Sequence, residues 1–148
     1  MISQKAKYAL RALVALAKQP PGSPTFIGDI AADQKIPKKF LEQILLDLKH
    51  HGIVASKRGK AGGYGLLRPA DTISFGEILR IIDGPIAPLP CLSKIAYRRC
   101  TDCKEESSCE VRRVFAQVAD ATRGVLDRTT VADAIGERLP LRLRDAVA

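Results

Sequence analysis

Residues 36–67 read IPKKFLEQILLDLKHHGIVASKRGKAGGYGLL, and two changes of period inside that stretch decide the fold. Phe40, Leu41, Ile44, Leu45 and Leu48 recur at helical spacing, which makes one side of a helix that Pro37 opens and His50 closes. Gly52 stands where a helix stops on a left-handed residue. Ile53-Val54-Ala55-Ser56 then reads as a short strand, Lys57 to Gly63 as a basic, glycine-rich turn, and Tyr64 to Leu67 as the returning strand, closed by Arg68-Pro69. His50 and His51 sit at the end of the helix, where a cation suits the dipole.

Upstream, Ser3 can cap a helix to Lys18 with Ala6, Ala9, Leu10, Leu13, Val14 and Ala17 on its apolar side. A Pro- and Gly-rich loop follows, then a short helix from Ile27 to Asp33 with Ile30 and Ala31 inward, and a tight connection at Gln34-Lys35-Ile36. Downstream, Ser74 caps a helix over Phe75–Ile82 that stops at Asp83-Gly84-Pro85. A long helix runs from about Cys109 to Arg128, Thr129-Thr130 break it, and Val131–Ile135 is a last short helix. The fold expected is mostly α with a small β-hairpin wing: a winged helix-turn-helix domain over 1–83, a cysteine-rich loop over 84–110, a long C-terminal dimerisation helix with a short return helix over 111–136, and a flexible tail over 137–148.

The chemistry follows from that order of elements. The buried side of the third helix packs on the first two, which leaves Lys38, Lys39 and Glu42 at its N-terminal end free to enter a major groove. The lysines can meet phosphates or guanine; Glu42 can accept from cytosine, or cap, or simply be solvated. At the hairpin tip, Lys57, Arg58 and Lys60 stand beside glycines that let a backbone come close to phosphates, and Arg58 can reach a minor groove. A solvated charged hairpin is the plainer reading. Charge supports the first: residues 1–75 hold twelve Lys and Arg against five Asp and Glu, whereas residues 76–148 hold twelve against eleven.

All four cysteines, Cys91, Cys100, Cys103 and Cys109, fall in one Arg-rich stretch spaced C-x8-C-x2-C-x5-C. Four thiolates within reach of one another are a full ligand set for an iron–sulfur cluster or for zinc, and equally a redox thiol switch. Structural disulfides would need an oxidising compartment that nothing else in the chain indicates. Arg98, Arg99, Lys104, Arg112 and Arg113 flank the thiols and are expected to favour thiolates. Neither histidine is needed as a ligand. Beyond the loop, Val111, Val114, Phe115, Val118, Val125 and Leu126 form a stripe near heptad spacing, too long for a chain of 148 residues to bury alone, which predicts a homodimer. No signal peptide and no apolar run of bilayer length are read, so a cytoplasmic protein with no membrane partner is expected. A cysteine-based redox enzyme has little support, since no acid–base pair is poised by spacing.

Taken together, Lys5-Ala-Lys-Tyr-Ala-Leu-Arg-Ala-Leu13, Ile36-Pro-Lys-Lys-Phe-Leu-Glu-Gln43, Arg58-Gly-Lys-Ala-Gly-Gly-Tyr64 and the cysteines resemble the Rrf2 family of bacterial winged-helix regulators, the IscR, NsrR and CymR type. The resemblance implies a homodimeric transcription factor, a repressor or dual regulator on a palindromic stretch of double-stranded DNA. Its affinity would follow an iron–sulfur cluster or thiol state, and so iron, oxygen, nitric oxide or redox conditions. It also implies DNA contacts at Pro37, Lys38, Lys39, Glu42, Arg58, Gly59, Gly62 and Tyr64, with Lys57 and Lys60 added on charge alone, and cluster ligation by Cys91, Cys103 and Cys109. The chain departs from the family's C-x5-C-x5-C pattern in its longer first gap and in Cys100. Where some members carry a histidine three residues after the last cysteine it has Arg112, and its first helix offers Lys7 and Tyr8 rather than an acidic ligand. Cys100 is the expected fourth ligand, with zinc or metal-free thiols as alternatives.

Overall fold

The computed structural model describes residues 2–136, so the tail expected over 137–148 lies outside the described residues. Helix α1 (Gln4–Ala17) begins where the Ser3 hydroxyl accepts from the Ala6 N–H, 3.0 Å. It is the central helix. Ala6, Ala9, Ala12, Leu13 and Leu16 are buried, and three of these small side chains let neighbours approach closely. The expected side included Leu10, Val14 and Ala17, which are only half-buried, and missed Ala12 and Leu16. A helix with neighbours on several sides buries a wider sector than a single amphipathic stripe, so its pattern reads less sharply.

Helix α2 (Ile27–Gln34) ends on Lys35, whose φ of 53° is the left-handed conformation usually left to glycine. That single residue makes the sharp turn, and the Ile36 N–H returns to the Ala31 carbonyl, 2.9 Å. Helix α3 (Lys38–His50) follows. Pro37 is its N-cap rather than its first residue, with its carbonyl accepting from Leu41, 2.9 Å. Leu41, Ile44, Leu45 and Leu48 are buried as the spacing requires. Gly52 has φ +70° and the Ile53 N–H closes on the Leu48 carbonyl, 3.0 Å, which stops the helix and starts the hairpin.

Strands β1 (Val54–Lys57) and β2 (Gly63–Leu66) are antiparallel, paired from Val54 with Leu66 to Lys57 with Gly63. A bridge from Thr25 to Tyr64, 2.8 Å in both directions, pins the second strand to the α1–α2 loop. Short 3-10 turns at Ala70–Thr72 and Pro90–Leu92 flank α4 (Phe75–Asp83), which Ser74 caps through the Glu77 N–H, 3.1 Å. Helix α5 (Glu110–Arg128) runs out past the cysteine loop, and α6 (Val131–Ile135) brings the chain back. The return is firm: Phe75 donates to Thr129 and Val131 to Ile73, both 2.9 Å, a capping box joins Thr130 and Asp133, and Val131 is fully buried. Val131 shares one core with Leu13, Leu41, Ile44, Leu45, Leu48, Ile53, Ile73 and Ile78, so the short return helix packs with the winged-helix body. No helix among the described residues is long and apolar enough to cross a membrane.

Candidate nucleic-acid interface and cysteine loop

The body sorts its cations into two sets. One set is committed to structure. Lys5 pairs with Asp47 at 2.7 Å and ties α1 to α3, and Lys49 donates to the Ser56 hydroxyl at 2.7 Å and ties α3 to β1. Arg11 donates to the Gln34 carbonyl beside the tight turn, and Arg68 forks onto Glu77, 2.7 and 3.1 Å. The hydrogen bond from Lys5 holds the Asp47 carboxyl below its usual range, against some burial, with Gln43 assisting. The other set, Lys38, Lys39, Lys57, Arg58 and Lys60, with Lys7, Lys18 and Lys35 elsewhere on the body, is exposed, and its side chains have no hydrogen-bond or ion-pair partner among the described residues; the Glu42 side chain is the same. Long side chains with free charge at a helix start and a hairpin tip are what phosphate contact requires.

The wing glycines are not alike. Gly59 has φ +100° with open space around it, so its backbone is accessible. Gly62 is buried, donates to the Gly59 carbonyl at 3.0 Å, and has no room for a Cβ, which would run into the Lys57 and Gly59 carbonyl oxygens. Gly63, at φ +145°, presses on the Thr25 backbone. These two glycines build and anchor the turn. Tyr64 is half-buried, its ring against the core and its backbone in the Thr25 bridge, while Pro37 is exposed at the cap of α3.

The four cysteines occupy unlike places. Cys91 is 6% exposed in the 3-10 turn, Cys100 is exposed, Cys103 half-buried, and Cys109 is the N-cap of α5, its sulfur accepting from the Arg112 N–H at 3.4 Å. All are free thiols, and among the described residues no three cysteine, histidine or carboxylate groups converge closely enough to hold a metal ion. They nevertheless share one electrostatic neighbourhood. Lost hydration pushes the Cys100 thiol up, and Cys91, Asp102, Cys103 and Cys109 add to it. The flanking arginines were expected to favour thiolates. At Cys100 the shift runs the other way, through lost hydration and the surrounding thiols and Asp102; nearby, Arg99 donates to the Cys103 and Lys104 carbonyls, 3.3 and 2.9 Å, and Arg112 lies 3.9 Å from Glu106.

Helix α5 is inverted for a surface helix. Its covered side carries Ala119, buried, with Arg112 and Arg123, whose Nε atoms are buried without a hydrogen-bond partner. Its open side carries Val111, Val114, Phe115, Val118 and Val125, from 39% (Phe115) to 65% (Val125) exposed. Leu126, expected in the same stripe, is half-buried and lines a cleft with Leu79 and Ala119. Both ends of the cysteine loop meet this helix: Cys109 caps it, and Arg123 donates to the carbonyl of Leu92, next to Cys91, at 3.3 Å. At the far end Arg80 forks onto Asp127, 2.7 and 3.0 Å, holding that carboxyl below its usual range, and Gly76 leaves room for the Asp127 carboxylate. The loop-to-helix contacts had no local signal in the sequence, since Arg123 and Leu92 are far apart in the chain.

Comparison with known proteins agrees with this arrangement. The family described as Rrf2, iron-dependent transcriptional regulator, matches residues 2–137. A Rhodobacter capsulatus helix-turn-helix regulator described as Rrf2-like is 48% identical over 144 residues, 95% of each chain. The transcriptional regulator CymR of Bacillus subtilis is 34% identical over 132 residues, 89% of this chain and 87% of its own. Among solved structures, that of B. subtilis CymR, described as the global cysteine regulator, superposes with a TM-score of 0.77 at 33% identity, covering 91% of this chain and 95% of CymR. T. potens IscR superposes with a TM-score of 0.71 at 27% identity, covering 99% and 88%.

Proposed function

The chain belongs to the Rrf2 family of transcriptional regulators, and from that premise we propose a homodimer that grips a palindromic DNA site and lets the state of its cysteine loop set the grip. Its relatives and its fold are those of regulators rather than of enzymes. The observation that carries the reading is the double attachment of the loop to α5, through the Cys109 cap and through Arg123 to Leu92. The open side of α5 bears the apolar stripe, and a partner's α5 is its natural cover. Each Val or Phe so buried contributes about 1.5–3 kcal/mol at most. What happens at the sulfurs is thereby linked to the angle and spacing of the two subunits. Two recognition helices on one face of DNA need a separation of about 34–36 Å, so a small change at α5 alters affinity.

DNA contact falls to Lys38, Lys39 and Glu42 at the start of α3 and to Lys57, Arg58, Gly59 and Lys60 at the wing. Gly62 and Tyr64 hold the wing in shape. The donor chemistry of the loop suits a cluster, with four free thiols in one stretch and the buried Nε of Arg112 and Arg123 lacking an acceptor, although the sulfurs do not converge into a metal site among the described residues. Cys91, Cys103 and Cys109, with Cys100 as fourth, are the residues that would hold it. An iron–sulfur cluster bound there supplies one-electron redox change and negative charge. Zinc gives a staple without redox change.

The test is metal content. Protein purified without oxygen is expected to carry iron and sulfide. Cys91→Ala, Cys103→Ala and Cys109→Ala should each abolish stable uptake, and Cys100→Ala should do so when the fourth ligand is internal. Zinc without sulfide selects the staple, and full metal content in all four variants removes the cysteines from the site.

A further inference from the structure

We infer that Cys100 and Cys103 form a two-thiol site that takes oxidising equivalents from a small disulfide, becoming an intraloop disulfide while Cys91 and Cys109 stay reduced. This deepens the sensor reading above and rests on it only for the effect on DNA.

The geometry is that of a closed turn. The Cys103 N–H returns to the Cys100 carbonyl at 3.5 Å across Thr101-Asp102. Such a turn keeps its end Cα atoms within about 7 Å, and a disulfide spans about 4.4–6.8 Å, so the bond closes without the backbone opening. Arg99 fixes the far side of the turn by donating to the carbonyls of Cys103 and Lys104. Access separates this pair from the other thiols. Cys91 is buried and Cys100 exposed, while Cys103 and Cys109 are both half-buried; what sets Cys109 apart is that its sulfur already accepts the first-turn N–H of Arg112 and lies outside the Cys100–Cys103 turn. Cys100 is also the cysteine by which the loop departs from the three-cysteine spacing.

The chemistry balances in two exchanges. The Cys100 sulfur attacks one sulfur of the small disulfide, forms a mixed disulfide and expels one thiolate. The Cys103 sulfur then attacks Cys100 and expels the second. Two protein thiols are oxidised, the small disulfide is reduced to two thiols, and the two protein protons pass to the departing thiolates. A metal ion holding these sulfurs excludes the reaction, and the disulfide excludes the metal. The loop thus has an oxidised form that must be reduced before it can be loaded.

Metal-stripped full-length protein incubated with glutathione disulfide tests this. After alkylation, the native chain should show the loss of two hydrogens and no retained glutathione, with both oxidised sulfurs in the single tryptic peptide Cys100–Lys104. Cys103→Ser should instead keep one glutathione on Cys100, and Cys91→Ser should react like the native chain. A disulfide that includes Cys91 or Cys109, or no oxidation of the pair, overturns the inference. Metal content of the reduced protein, measured separately, reports on the cofactor reading. Disulfide formation in a protein that binds no metal sinks only the latter, and normal metal loading without disulfide formation sinks only the former.

Discussion

The winged-helix body and the cysteine loop are held together by different forces. The body has a continuous apolar core from Leu13 to Val131, and its cross-links, Lys5 to Asp47 and Lys49 to Ser56, fix the recognition helix from two sides. In the loop, from 85 to 109, only Cys91 and Ser93 are buried. Its polar attachments to α5 are single contacts, Arg123 to Leu92 and the thiol cap, beside an apolar cleft that residues 85–88 line with Leu79, Ala119 and Leu126, while Arg98 to Pro90 is internal to the loop. Contacts of that kind contribute about 1 kcal/mol each, whereas binding of a structural metal contributes about 10 kcal/mol or more. A ligand at the sulfurs would therefore dominate the loop and leave the body unchanged, the division that the proposed sensor requires.

The comparison breaks most visibly on α5. Val118→Glu places a charge in the middle of the open stripe; if a partner helix covers it, dimerisation should weaken by about 3–5 kcal/mol, while the melting of the body changes little. Sedimentation at micromolar concentration checks this, and a variant that dimerises normally removes α5 as the seam. Next in size is the wing. Arg58→Ala should cost about 1–3 kcal/mol of DNA affinity, with no change in metal content, because its guanidinium has no hydrogen-bond or ion-pair partner among the described residues. Lys38→Ala or Lys39→Ala should lower the salt dependence of binding by about one unit for each phosphate that the lysine neutralises, read from titrations at several salt concentrations. The smallest effect lies inside the body. Asp47 is depressed when folded, so its pairing with Lys5 stabilises above about pH 4, the unfolded value, and is lost as pH falls through the folded value. For so exposed a pair the gain is under about 1 kcal/mol. Urea midpoints of the native chain and Asp47→Asn should differ at pH 6 and converge near pH 2.5.

The same division explains what the sequence discloses. The third helix and hairpin are readable because burial imposes a period on Leu41, Ile44, Leu45 and Leu48, and because Gly52 marks the change of element. Helix α1 is harder, since neighbours on several sides blur its stripe and hide Ala12 and Leu16. At the site, free cations are legible from composition, but the need for Gly62 comes from the Lys57 carbonyl folding back on it, which no local pattern announces. The loop is least legible. Burial of Cys91 and exposure of Cys100 follow from tertiary placement, and the upward push on the Cys100 thiol from lost hydration and from the thiols and Asp102 around it. A spacing of cysteines names the chemistry and leaves that geometry open.

The coupling of loop to DNA grip is tested most directly by one measurement. The native protein is purified without oxygen, its bound metal is quantified, and its affinity for a DNA site selected from random sequence is measured before and after the metal is stripped, at fixed salt and protein concentration. Loaded and stripped protein should differ in affinity by about tenfold or more, corresponding to about 1.4 kcal/mol of linkage, with equal thermal stability of the winged-helix body. Equal affinity in the two states, with metal bound in one and absent in the other, contradicts the coupling of the cysteine loop to DNA.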